Sequence, residues 1–174
     1  MPINLYVIRH AKAGERGEAY PDDSLRPLVK KGHKQSETLS KAMAVLRISL
    51  DRLCSSPYVR AKETAEAFKG RLKKSGKAVE LKSLVSLDYE ELLADLQDFN
   101  LDSDSHIAIV GHEPYLSEFC SFMLSASTDE VALRFKKATM VHLYGSSQAG
   151  TVAMHCMIQP KIAAAIVQEA YVDD

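Results

Sequence analysis

Ile3-Asn4-Leu5-Tyr6-Val7-Ile8-Arg9-His10 is the stretch from which the rest of the chain is read. A strand with one wet face alternates polar and apolar residues, and Ile3–Ile8 breaks that alternation with a near-continuous run of Leu, Tyr, Val and Ile. Such a run fits a β-strand covered on both faces, which makes it a central strand of a layered sheet. It stops abruptly at Arg9-His10, two polar side chains placed where the strand leaves the core.

Working outward, Leu39, Ala42, Met43 and Leu46 recur at helical spacing, so a helix is expected from Lys31 to about Leu46. Arg52–Ser55 reads as a second strand. Ser56-Pro57 then resembles an N-cap followed by proline in the first turn, and Ala61, Thr64, Ala65, Phe68 and Leu72 predict one helix through Leu72. Val79–Leu81 is a short strand, and Asp88 with Glu91 three residues on has capping-box spacing for a helix through Leu96. His106–Val110 is a strand bounded by Gly111, and a helix carrying Leu116, Phe119, Cys120 and Met123 follows Glu113-Pro114. Thr139–Tyr144 and Thr151–Ile158 flank a Ser-Ser-Gln-Ala-Gly turn as a hairpin, and Lys161–Tyr171 closes the chain as a helix. The order predicts an α/β fold, a three-layer α/β/α sandwich on a mixed, mostly parallel sheet of about six strands with a C-terminal antiparallel hairpin. Residues 1–174 are expected to form a single domain.

The charge balance narrows the partners. With 22 Lys plus Arg against 23 Asp plus Glu there is no basic excess to drive counterion release, so nucleic acid is not an expected partner. No apolar run approaches the length of a membrane helix, and the first residues lack the basic start of a secretion signal, so no membrane is expected and a cytoplasmic location is. Cys54, Cys120 and Cys156 are odd in number and widely spaced, which fits reduced thiols better than a disulfide framework or a zinc site. His142 and His155 face each other across the hairpin without an evident third ligand, and His33 and His106 read as surface residues.

In open α/β sheets ligands gather beyond the carboxyl ends of the strands. Three strand exits stand out there: Arg9-His10, then Ser55-Ser56-Pro57 with Arg60 in the next turn, then Gly111-His112. Two guanidinium groups and two imidazoles converging on one spot suit a phosphoryl group, because the guanidinium fork matches its oxygens. Neighbouring arginine charges disfavour protonation of an imidazole and so keep it nucleophilic at neutral pH. Inorganic phosphate is therefore an expected ligand.

Four ordered motifs add to this reading: Arg9-His10-Ala11-Lys12-Ala13, Asp23-Ser24-Leu25-Arg26-Pro27-Leu28, Ser55-Ser56-Pro57-Tyr58-Val59-Arg60-Ala61-Lys62-Glu63-Thr64-Ala65, and Val110-Gly111-His112-Glu113-Pro114. Together they resemble the SixA-type phosphohistidine phosphatases of the histidine phosphatase superfamily, which also contains the phosphoglycerate mutases. The resemblance implies His10 as the residue that becomes phosphorylated, Arg9, Arg60 and His112 as its phosphoryl pocket, and neither cofactor nor metal. It implies a metal-independent phosphatase acting on a phosphorylated protein, with a small phosphorylated substrate, a mutase-like transferase and a non-catalytic phosphate-binding module as the alternatives. Val29 stands where that family usually has Thr, which removes a helix cap, and Glu113 stands where Asn is usual, which sets a carboxylate beside the pocket or caps the next helix. For a general acid the candidates Asp22, Asp23, Asp88 and Glu113 stay open, Asp88 being also a helix cap and Asp23 a partner for Arg26.

Overall fold

The computed structural model describes residues 2–170. Six strands form one sheet in the order β3-β2-β4-β1-β5-β6, with β1 Pro2–Arg9, β2 Leu50–Ser55, β3 Leu72–Glu80, β4 Ser105–Gly111, β5 Met140–Ser146 and β6 Val152–Ile158. β1 pairs parallel with β4, β4 with β2 and β2 with β3, while β5 runs antiparallel to β1 and β6 antiparallel to β5. The sheet is thus mixed, with the expected hairpin at its C-terminal edge.

Alternate residues of β1 feed two separate apolar layers, which is why the strand carries so little polarity. Ile3, Leu5 and Val7 pack with Leu84, Leu92, Leu96, Leu116 and Phe119, from helices α3 Ser83–Ser86, α4 Tyr89–Gln97 and α5 Tyr115–Ser125. Tyr6 and Ile8 pack on the other face with Leu39, Met43, Ala61, Phe68 and Ala163, supplied by α1 Lys30–Val45, α2 Val59–Glu66 with the turn after it, and α6 Pro160–Ala170. No helix among the described residues is long and apolar enough to cross a membrane.

The structure departs from the sequence reading in three places. α2 begins at Val59 with Tyr58 in the cap position and stops at Glu66, so neither Ser56 as a cap nor a helix through Leu72 is observed. Leu72 instead opens β3, which is nine residues long where only Val79–Leu81 was expected. β3 is an edge strand carrying Lys73, Lys74 and Lys77; such charges discourage edge-to-edge pairing and also hide the strand from an apolar pattern. His106 is half-buried rather than on the surface, its Nδ1 lying 2.8 Å from the Tyr6 hydroxyl. Tyr171, the expected end of the last helix, lies outside the described residues.

What positions the strand exits is a set of side chains that tie α1 and α2 to the loop after β1. Thr64 of α2, fully buried, donates to the Arg60 carbonyl (2.7 Å) and accepts from the Ala11 N–H (3.0 Å). Glu63 accepts from the Leu28 N–H at 2.6 Å, and the Val29 N–H donates to the Lys12 carbonyl at 3.0 Å. Val29 sits at the cap of α1 with no side-chain acceptor, as a valine must. Gly32 lets the first turn of α1 rest on the same loop, since a Cβ there would collide with the Lys12 carbonyl. Gly32→Ala is therefore expected to lower unfolding stability by about 1–3 kcal/mol through overpacking, measured as a lower denaturant midpoint at unchanged slope. An unchanged midpoint would show that this contact does not constrain the loop.

Candidate functional site

The hydrogen-bond ladder continues one step past the strand ends. The His10 N–H donates to the Gly111 carbonyl and the Ser56 N–H to the Val110 carbonyl, each at 3.0 Å. Three consecutive exits of the sheet, β2, β4 and β1, are thereby held in register. The imidazoles of His10 and His112 end with ring centroids 5.1 Å apart. Arg9, His10, Arg60 and His112 line one cavity of about 470 Å³, together with Arg26 and Lys137.

His10 is 6% exposed. Its Nδ1 lies 2.7 Å from the Ala11 carbonyl, and a carbonyl only accepts, so Nδ1 carries the hydrogen and Nε2 keeps the lone pair. Burial pushes the His10 pKa down to about 3, with Arg60, Arg9 and Lys137 acting in the same direction against the Ala11 hydrogen bond. His112 is likewise driven to about 3, by burial first and then by His10 and Arg60. Both rings are neutral at physiological pH.

The Ser56 hydroxyl lies 2.5 Å from His112 Nε2. This explains why Ser56-Pro57 does not cap α2: its hydroxyl is turned to the imidazole. His112 also packs against the Tyr58 ring, over which the Arg60 guanidinium lies at 4.9 Å.

Asp23 organises the cationic side. Its carboxylate pairs with Arg26 (2.9 Å), Arg60 (3.0 Å) and Arg16 (3.2 Å), and its carbonyl accepts from Arg60 Nη1 at 2.6 Å. Burial raises the Asp23 pKa, but the Arg26 hydrogen bond and the charges of Arg60, Arg26 and Arg16 outweigh it and leave the carboxyl below its usual value. Arg26, read from the sequence only as a partner of Asp23, is itself buried in the pocket wall, with Nη1 donating to the Gly14 carbonyl at 2.7 Å. Arg9 donates from Nη1 to the Phe135 carbonyl at 2.7 Å. After these bonds, Arg9 Nε, Arg60 Nε and His112 Nδ1 are buried polar atoms without a partner.

The carboxyls considered as proton donors separate in the structure. Asp22 accepts from the Ser24 N–H in the short 3-10 turn Asp23–Leu25, and Asp88 accepts from the Glu90 and Glu91 N–H groups as the cap of α4. Asp23 is committed to the arginines. Glu113 lines the cavity, and burial raises its pKa against the Ser117 hydrogen bond and the Arg9 charge. Pro114, not Glu113, occupies the cap position of α5. The Ser117 hydroxyl lies 2.7 Å from Glu113 Oε2 and 2.8 Å from the Pro114 carbonyl, and one hydroxyl hydrogen serves only one acceptor.

Cys54 and Cys120 are buried core thiols, while Cys156 is exposed. His142 and His155 have ring centroids 4.9 Å apart, and no group of three or more metal-ligating side chains occurs among the described residues.

Comparison with known proteins places this geometry. The profile of the histidine phosphatase superfamily (branch 1) matches residues 5–97. An uncharacterized protein of Picosynechococcus sp. is 27% identical over 141 residues, 81% of this chain and 84% of that protein. Among solved structures, the fold is similar to the protein histidine phosphatase SixA complexed with tungstate, with TM-score 0.77, 19% identity and coverage of 91% of this chain and 97% of that one. It is also similar to phosphoglycerate mutase from Bacillus anthracis, with TM-score 0.68, 17% identity and coverage of 95% and 96%. Phosphoserine phosphatase from Entamoeba histolytica, complexed with 3-phosphoglyceric acid, gives TM-score 0.64 at 13% identity, covering 90% and 97%. The matched profile spans His10 and Arg60 within the sheet and cavity just described, and the chain belongs to the histidine phosphatase superfamily.

Proposed function

We propose that the protein is a metal-independent phosphatase that passes the phosphoryl group through His10, with phosphohistidine on a protein as its substrate. The observation that carries this reading is the convergence of Arg9, Arg60 and His112 around the neutral His10 in one cavity. Buried polar groups are almost always paired, yet Arg9 Nε, Arg60 Nε, His112 Nδ1 and Glu113 Oε1 lack partners, all on residues that line the His10 cavity. With the Ser56 hydroxyl donating to His112 Nε2, Nδ1 of that ring is an N–H. Two guanidinium charges and a second imidazole beside the neutral His10 fit a tetrahedral oxyanion. The alternatives of a metabolite phosphatase or a mutase-like transferase use the same pocket. The SixA structure in complex with tungstate, a phosphate-like oxyanion, supports the proposed ligand class.

In the proposed cycle His10 Nε2 attacks phosphorus as the bond to the substrate nitrogen breaks, and the departing imidazole takes its proton from solvent. Water then attacks the phosphoenzyme, releasing inorganic phosphate and restoring the Nε2 lone pair. Arg9, Arg60 and His112 stabilise the oxygens of the transferring group in both steps, where preorganised donors act most strongly.

The substrate panel that tests this reading contains a phosphohistidine peptide, p-nitrophenyl phosphate and phosphoglycerates, each with and without EDTA. Turnover of the first that survives chelation is expected; turnover of phosphoglycerates alone would contradict the protein substrate. Arg60→Ala is expected to lower kcat/KM about 10²- to 10³-fold, the usual cost of one lost preorganised donor. Arg60→Lys keeps the charge but not the fork to Asp23 or the Nε donor, and should recover only a minor part of the rate. Full activity of the lysine variant would reduce the role of Arg60 to net charge.

The neutral imidazoles also set a pH dependence. As pH falls from the ordinary histidine value of 6.5 toward about 3, the unfolded chain takes up protons that native His10 and His112 refuse. The stability these groups contribute is complete above 6.5 and is lost on acidification. Denaturant titrations at pH 7.5 and pH 5 should show a smaller loss in His10→Gln than in the wild type. An equal loss would mean that native His10 protonates normally.

A further inference from the structure

We propose that a lysine-rich shelf beside the cavity is a docking surface for an acidic polypeptide segment flanking the phosphorylated residue of a protein substrate. This rests on the phosphohistidine reading above. Lys137 joins the two regions: it lines the His10 cavity and also a neighbouring depression of about 350 Å³ whose other walls are Gln35, Lys136, Gln159, Pro160 and Lys161. Not one carboxylate lines that depression. Gln35 ties it to the loop after β1 by accepting from the Lys12 N–H at 3.1 Å, and Lys31 stands one helical turn before Gln35 on α1.

The lysines here are left without acidic partners. Among the described residues Lys12, Lys31, Lys136, Lys137 and Lys161 have no carboxylate within 4.0 Å, and Lys136, Lys137 and Lys161 line one depression together. Lys137 is held below its ordinary pKa by burial and then by Arg9, Arg26, Lys12 and Arg60, so its neighbours repel it rather than neutralise it. Concentrating unpaired cations on one face of a chain with net charge −1 creates a local positive field that steers and retains an acidic ligand. A polypeptide suits this surface better than a nucleic acid, because no aromatic side chain lines the depression for base stacking. The phosphohistidine would enter the cavity while flanking Asp and Glu residues lie along Lys137, Lys136 and Lys161.

The test compares two synthetic phosphohistidine peptides, one with Glu-rich and one with Gln-rich flanks, and p-nitrophenyl phosphate, on the wild type and on the double variant Lys136→Glu/Lys161→Glu. Neither of these exposed lysines belongs to the His10 cavity. At low salt the wild type should prefer the Glu-rich peptide in kcat/KM by about tenfold, a preference that fades as ionic strength rises. The double variant should lose or invert it while hydrolysing p-nitrophenyl phosphate at the wild-type rate. Equal use of both peptides by the wild type, or a preference retained by the variant, would overturn the docking surface and leave the phosphohistidine reading standing. Turnover of p-nitrophenyl phosphate but of neither peptide would overturn both. A variant that weakened binding of a single-stranded polynucleotide without changing peptide preference would assign the shelf to nucleic acid and overturn it equally.

Discussion

Three guanidinium groups share one carboxylate, Asp23, and the candidate site is arranged around that shortage of negative charge. Two unit charges 4 Å apart interact by about 4 kcal/mol at an effective dielectric constant of 20, so the crowding of Arg26, Arg60 and Arg16 is sustainable only because Asp23 lies among them. Arg9 is anchored to a carbonyl instead, and Lys137 is held below its ordinary pKa by burial and by the charges of Arg9, Arg26, Lys12 and Arg60. The cavity walls are therefore short of negative charge, which the proposed phosphoryl ligand would supply. Burial of the imidazoles in the same field keeps them neutral, which is the state a nitrogen nucleophile requires.

Fold and site are coupled through a few backbone contacts rather than through bulk packing. β1 is central because both its faces are apolar, and its pairing with β4 sets His10 beside Gly111 and hence beside His112. Thr64 and Glu63 fasten α2 to the loops that follow β1 and precede α1, so Arg60 projects toward Asp23 from a fixed platform. Sites built on rigid elements hold their geometry more closely than sites on free loops. The contact of Gly32 with Lys12 serves the same end from α1.

Much of this was legible from residue patterns, for identifiable reasons. Buried strands and amphipathic helices announce themselves through periodicity, and β1, β4, α1, α5 and the hairpin follow it closely. The edge strand β3 does not, because its lysines protect an exposed edge instead of filling a core. Ser56-Pro57 misleads for a different reason: a serine before proline satisfies the local rule for a helix start, but tertiary structure spends the hydroxyl on His112. The convergence of Arg9, His10, Arg60 and His112 follows from strand exits alone. The parts that local pattern does not reveal are Arg26, whose place in the wall depends on the path of the loop around Gly14, and Lys137, which arrives from more than a hundred residues away. Glu113 shows the same limit, since its pKa is raised by burial in the folded chain, against the Ser117 hydrogen bond.

The central claim is that His10 Nδ1 is fixed to the Ala11 carbonyl and that Nε2 is the nitrogen that takes the phosphoryl group. Phosphorus-31 and nitrogen-15 NMR of the phosphoenzyme, trapped after brief exposure to a phosphohistidine peptide, measures this directly, because the two phosphohistidine isomers differ in chemical shift and in their coupling to the ring nitrogens. The account predicts a single species phosphorylated at Nε2 of His10 and absent from His10→Ala. A phosphoryl group on Nδ1, or on any residue other than His10, would contradict it.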